Sequence, residues 1–415
     1  MPSQSARNGL NWLNFFMAAV QTGFGPFIAV YLTERGWSQT EIGIALSIGT
    51  ASSLLSQLPA GMLVDYVHHK RGLTAAALGL LGVSALLLIA LPAQVMASRD
   101  MVWASQILHA AASGILVPAV AVLTLSLYGH DAFGARLGFN ARYQSLGNAV
   151  AAGLLGVVAS ILSNGAVFAL TAALVIPALW ALLSIEPAPE APPADGHPSM
   201  QHPRVLREGP HRPWCIFHFT SLHVFAICMV LFSLGNAAML PLALNALTKR
   251  TGDAGLVVSA AIIVPQVIAA VIAPWIGGAA QRFGRRPVLL AGFLVLPLRG
   301  LLLATQPDAA PLALMQSLDG VSAAVFGIMI PLVAADLTSQ TGYLNLAMNS
   351  IGLAANIGAT FSTVLGGMVA DQFGISAALV GLSLCGFAAT FLVWRALPET
   401  RPDQRDQAQP AAMPA

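Results

Sequence analysis

The stretch Gly61-Met-Leu-Val-Asp65-Tyr-Val-His68-His69-Lys70-Arg71 is a short charged turn held between two long apolar runs. A second copy of its outline begins 216 residues downstream, as Gly277-Gly-Ala-Ala-Gln281-Arg282-Phe-Gly284-Arg285-Arg286-Pro287. Laying Gly61 on Gly277 places Asp65 on Gln281 and the basic pair Lys70/Arg71 on Arg286/Pro287. Nearly the same shift superposes Pro26 on Pro241, each within the apolar run two segments earlier. Two charged turns half a chain apart point to one module present twice.

The composition says what surrounds those turns. Hydrophobic residues make up 56% of the 415-residue chain and charged residues only 9%, and the mean hydropathy is +0.74. Soluble domains carry about 25% charged residues, so this chain has too few to cover a water-facing surface. The apolar residues come in runs of about 20 or more, the length that crosses a ~30 Å hydrocarbon core. Segments of about ten alternating residues, the mark of a membrane β-barrel, are absent. The fold class expected is an all-α integral membrane protein.

Twelve spans are predicted, at 9–32, 40–64, 73–93, 101–128, 138–162, 165–185, 215–247, 255–280, 287–305, 310–337, 344–370 and 374–396. The segment 186–214 is rich in Pro, Glu, His and Arg and reads as a flexible linker between two six-span halves, 1–185 and 215–397. The tail 398–415 is expected to be disordered. No cleavable signal peptide is visible. Arg7, Lys70, Arg71, Arg136, the linker arginines, Arg282, Arg285 and Arg286 gather on one side when the N-terminus is placed inside. The opposite side receives Arg35, Arg99, Lys249 and Arg250, so both termini are expected in the cytoplasm. The strong bias of Arg over Lys points to a GC-rich bacterium, hence a bacterial inner membrane.

The repeat recurs deeper in the chain. Gly114-Ile-Leu-Val-Pro118 matches Gly327-Ile-Met-Ile-Pro331, and Asn148 in span 5 matches Asn356 in span 11. Six spans repeated in the same sense give two bundles related about the membrane normal. Transporters built in this way bind substrate near the midplane between the halves.

The two turns resemble the loop 2–3 and loop 8–9 signatures of the major facilitator superfamily, of form G-x-x-x-D-R-x-G-R-R. Twelve spans, the six-plus-six repeat and the long central loop resemble the family as well. The resemblance implies alternating access, with Asp65 in a charge relay with the basic cluster and neighbouring helix ends at a cytoplasmic gate. His68-His69 replace the usual Gly-Arg, and Gln281 stands where the second copy would have its acid, so the second loop is expected to be weakened. Span 4 carries Gln106 and His109 in place of the arginine of many proton-driven drug exporters. Span 5 has Gly153-Leu-Leu-Gly156 without the fuller antiporter signature.

A charge at the bilayer centre costs at least ~2.5–3.5 kcal/mol, so each one there needs a reason. Asp319 lies about eight residues into span 10, roughly 12 Å deep at 1.5 Å per residue. It reads either as a coupling carboxylate for protons or cations, or as a structural partner for Arg299 in span 9. Arg299 itself reads as paired with Asp319 or as snorkelling to the headgroups. His109 reads as a proton carrier or as a neutral hydrogen-bonded side chain, and Gln106 shares its face. Gln21, Gln57, Asn148, Asn236, Gln266 and Asn356 are uncharged groups that either orient a polar substrate or bind helices to one another. Pro26 and Pro241 are expected bending points.

No phosphate-binding loop or metal-like Cys/His spacing occurs, and Cys215, Cys228 and Cys385 are scattered. The expectation is a secondary active transporter rather than an enzyme, with no cofactor, no metal and no nucleic acid. Its partners are a small organic solute, protons and the lipid bilayer, and it acts as a monomer. Proton-coupled export is favoured. Uptake of a metabolite or siderophore-like compound is the alternative, and a non-transporting membrane sensor a third.

Overall fold

The computed structural model describes residues 3–24, 27–28, 31–32, 35–37, 39–90, 95–185, 220–251, 255–339 and 343–401. Twelve helices are bounded within them: α1 (Gln4–Thr22), α2 (Gln39–Tyr66), α3 (Lys70–Ile89), α4 (Val95–Ile161), α5 (Asn164–Leu183), α6 (Thr220–Asn236), α7 (Met239–Thr251), α8 (Gly255–Phe283), α9 (Arg285–Ala304), α10 (Ala309–Thr338), α11 (Leu344–Phe373) and α12 (Ile375–Ala396). Their boundaries follow local chemistry. Ser3 caps α1 by accepting from the Ala6 N–H, and Ser163 caps α5 by accepting from the Ala166 N–H.

Spans 4 and 5 stand as two helices within α4, separated by the non-helical Gly129 (φ 67°, ψ 176°), a conformation that glycine adopts without a steric penalty. One boundary differs from the expected spans. Span 7 is broken into α6 and α7 ahead of Pro241, not at it. Pro241 lies in the first turn of α7, where its missing N–H has no intrahelical partner to lose. Pro26, the other expected bending point, lies outside the described residues, as do Cys215 and the linker 186–214. Of the tail, residues 398–401 pack against the α8–α9 turn, where disorder was expected, and residues 402–415 lie outside the described residues.

Among the described residues, nine helical stretches are long and apolar enough to cross a membrane, from Lys70–Ile89 through Ile375–Ala396. α1 is not among them, because it carries Asn8, Asn11, Asn14 and Gln21. The part of α4 beyond Gly129 is not a separate member of the nine. Trp12, Trp180, Trp275 and Trp394 are exposed on the bundle surface, each toward the end that carries the basic loops. Indole rings favour the membrane–water boundary.

Helix contacts reproduce the repeat. Within the first half α4 packs on α1, α2 and α3, and α5 on α1 and α3; within the second α11 packs on α6, α9 on α12 and α10, and α8 on α10. The halves meet chiefly through α4 against α8 and α2 against α11. Exchanging the halves carries one of these contacts onto the other. Glycines make the close approaches possible in matching places. A Cβ on Gly147 would lie 2.2 Å from the Phe15 carbonyl oxygen, and one on Gly358 would lie 2.2 Å from that of Val230.

Candidate functional site

At the basic end, the first charged turn reaches across to the other half. Asp65 Oδ1 accepts from the Asn345 N–H (3.1 Å) and Nδ2 (2.5 Å), and Oδ2 accepts from the Leu346 N–H (3.0 Å). The carboxylate therefore caps the N-terminus of α11, where orphan N–H groups and the helix dipole favour an anion. Gly61 permits the approach, since a Cβ there would lie 2.7 Å from the Asn345 carbonyl oxygen. The basic cluster does other work. Lys70 Nζ donates to the main-chain oxygens of Val64 and Asp65, capping the end of α2. Arg71 donates to the Leu183 oxygen at the end of α5, as Arg286 does to the Trp394 oxygen on α12. Each of these two arginines ties its turn to the last helix of its own half. His68 and His69 are exposed.

The second turn makes no such cap. Gln281 Oε1 accepts from Arg285 (3.3 Å), and its buried Nε2 has no partner. Arg285 instead pairs within its own half with Asp336, at 2.8 Å, with both side chains about 5% exposed or less. Glu399 accepts from the Arg285 and Arg286 N–H groups (2.7 and 3.1 Å), so the tail caps α9. It fits there because Gly284 (φ 98°) lacks a Cβ, which would stand 2.5 Å from Glu399 Oε2. Arg282 contributes its main-chain oxygen to Arg401 (3.2 Å).

Close backbone packing, rather than charge, closes this second seam between the halves. A Cβ on Gly277 would be 2.3 Å from the Gly134 oxygen, and one on Gly138 would be 2.5 Å from the Ala273 oxygen. Farther from the basic end, Asn349 Nδ2 donates to the main-chain oxygens of Gln57 (2.5 Å) and Gly114 (3.2 Å), again across the halves. The basic end is thus shut in this structure. Gly138→Val is expected to weaken that closure by about 1–3 kcal/mol, the usual cost of overpacking. Single cysteines near the seam should then react faster with a thiol reagent applied from the basic side.

At mid-depth a cavity of about 280 Å³ lies between the halves, lined by Gln21, Thr22, Asn148, Ala149, Ala152, Ile263 and Gln266. Thr22 Oγ1 lies 3.0 Å from Asn148 Oδ1, and Asn148 Nδ2 donates to Gln266 Oε1 at 3.3 Å. The second bond joins α4 to α8. Three of the amides singled out from sequence are therefore brought together here. Gln57 sits apart, its buried Oε1 without a partner, and Asn356 is half-buried on α11.

In the second half Arg299 and Asp319 form an ion pair, NH1 to Oδ1 at 2.5 Å. Arg299 also donates to Asn236 Oδ1 (2.8 Å) and Gln316 Oε1 (2.9 Å). It is only 2% exposed, which excludes snorkelling, whereas Asp319 is 28% exposed. His109 and Gln106 stand elsewhere, within the first half. The His109 ring stacks on Phe24 at 4.1 Å, its Nε2 lies 3.5 Å from Ser113 Oγ, and its Nδ1 is buried without a partner. Gln106 packs beside Gly49, with Nε2 unpartnered. Sequence reasoning missed Asn345, Asn349, Thr22 and Glu399, because each matters only through a partner from a remote segment. Asp336 had a legible signal: an acid at the basic end of span 10 needs a cation nearby.

Among curated proteins, the chain is 33% identical over 403 residues to an uncharacterized MFS-type transporter of Mycobacterium tuberculosis, covering 96% of this chain and 94% of that one. It is 27% identical over 126 residues, 30% of the chain and 32% of the relative, to multidrug resistance protein D of Escherichia coli. Among solved structures, the fucose:proton symporter of Escherichia coli superposes with a TM-score of 0.70 at 15% identity over 93% of this chain and 97% of that one. A proton:xylose symporter gives a TM-score of 0.72 at 15% identity over 95% and 96% of the two chains. At that identity the likeness speaks for the fold. The sequence model of the Major Facilitator Superfamily matches residues 10–234 and 225–413, so the chain belongs to that family and is a multi-pass membrane transporter rather than an enzyme.

Proposed function

We propose that this transporter moves a small organic solute by alternating access and drives it with protons, in the direction of export. The observation that carries the coupling is the Arg299–Asp319 pair: a part-exposed carboxylate held against a fully buried guanidinium. A proton reaching Asp319 would neutralise it and leave the buried Arg299 with only the uncharged acceptors Asn236 and Gln316, an uncompensated charge that disfavours this arrangement of the bundle relative to another. The partial likeness to multidrug resistance protein D supports export. The basic end is assigned to the cytoplasm of a bacterial inner membrane by the excess of Arg and Lys there. On that reading the structure is closed to the cytoplasm, and the two six-span bundles rock about the mid-depth cavity as a monomer.

Proteoliposomes carrying a trapped pH-sensitive dye test this. Addition of a transported solute is expected to move protons through the wild-type protein, and Asp319→Asn is expected to abolish that movement. Solute-driven proton flux that is undiminished in Asp319→Asn would overturn the assignment.

A further inference from the structure

The cavity between the halves has a chemistry more specific than its position. Among the described residues, none that lines it is charged, and its polar groups are amides and one hydroxyl. A formally charged ligand would shed hydration there without a counter-charge, which is unfavourable by several kcal/mol. The polar groups also have a direction. Asn148 is oriented with its oxygen toward Thr22 and its Nδ2 toward Gln266 Oε1, so Asn148 acts as donor and Gln266 as acceptor across the halves. At 3.3 Å that bond is longer than the usual 2.9–3.0 Å, and hence weak. Ala149, Ala152 and Ile263 supply an apolar wall. The volume, about 280 Å³, equals the liquid share of about nine waters, each about 30 Å³.

We infer that the substrate is a small uncharged molecule, of nucleobase or monosaccharide size, that inserts between Asn148 and Gln266. It replaces their bond across the halves with one group that accepts from Asn148 and donates to Gln266. A hydroxyl meets that requirement with one atom; a cis amide, as in a lactam or a pyrimidine ring, meets it with its C=O and N–H. The remainder of the molecule lies against Ala149, Ala152 and Ile263. Because the displaced bond ties α4 to α8, occupancy loosens one of the contacts that hold the halves together. This inference rests on the transporter reading above and names the class of cargo.

The test uses the purified full chain in detergent and three size-matched pairs of probes: thymine with orotate, myo-inositol with gluconate, and valerolactam with 5-aminovalerate. At least one neutral probe is expected to raise the melting temperature by several degrees at millimolar concentration, with its charged counterpart inert. The rise should vanish in Asn148→Leu and in Gln266→Leu and should survive in Asp319→Asn. Where a leucine variant fails to fold, Gln266→Met and Thr22→Val serve, with direct binding of a radiolabelled probe as readout. Stabilisation by the charged probes, a neutral shift that persists in both cavity variants, or no shift with any neutral probe overturns the proposal. The two readings separate cleanly. Neutral stabilisation without proton movement removes the coupling and keeps the cargo class; proton movement driven by orotate or gluconate does the reverse.

Discussion

Asp319→Ala is expected to lower the stability of the folded protein by about 3–5 kcal/mol, because it strands a buried guanidinium without its counter-charge. Arg299 would keep Asn236 and Gln316 as acceptors, but neither carries charge, and its Nε already lacks a partner. Asp319→Asn separates stability from coupling. Its amide oxygen still accepts from Arg299, so the loss of stability should be smaller, while the proton-binding group is gone. The double variant Asp319→Leu/Arg299→Met should recover most of the stability, since replacing both members of a buried pair by apolar groups is often neutral. Thermal unfolding in detergent measures the first effect, and dye-reported proton movement the second. His109 is the other intramembrane side chain that the sequence offered as a proton carrier. A steep proton dependence that survives Asp319→Asn and His109→Ala together would remove both from the coupling scheme.

The second large effect is expected at Asp65. Its carboxylate accepts three hydrogen bonds from the start of α11, and bonds to charged acceptors are worth about 1.5–3 kcal/mol each. Some of that is recovered when the gate opens and water solvates both sides. A net loss of about 2–4 kcal/mol from the closed state would shift the closed-to-open ratio about 30- to 700-fold, at about 1.4 kcal/mol per tenfold. Asp65→Ala should therefore populate the state open at the basic end and slow the cycle severely. Ligand affinity in the mid-depth cavity should change little, because Asp65 lies at the far end of α2. Gln281→Met is the matched control, with a small effect expected, since no hydrogen bond of Gln281 crosses between the halves. Distance measurements between labels on α2 and α11, with binding assays alongside, decide the matter. A lost affinity with normal cycling would contradict this reading.

Much of the architecture is legible in the sequence. Runs of apolar residues about 20 long demand helices because lipid leaves backbone groups no other partners. The two turns, their 216-residue separation and the matched Gly-x-x-x-Pro segments carried the duplication and, through it, the family. Fine breaks were less legible. Pro241 lies in the first turn of a helix where an interruption was expected, because proline marks a boundary without saying on which side the helix lies.

The sequence by itself determined the membrane class, the repeat, the polar inventory of the spans and the imbalance between Asp65 and Gln281. Those depend on composition, spacing and residue type, which are one-dimensional quantities. Tertiary structure alone decided which of those groups meet. Asp65 turns to α11 rather than to Lys70, Arg285 to Asp336, Glu399 to the start of α9, and Asn148 to Gln266, each through contacts between remote segments. A side chain's partner is set by which helix faces pack together, and spacing along one chain does not contain that information.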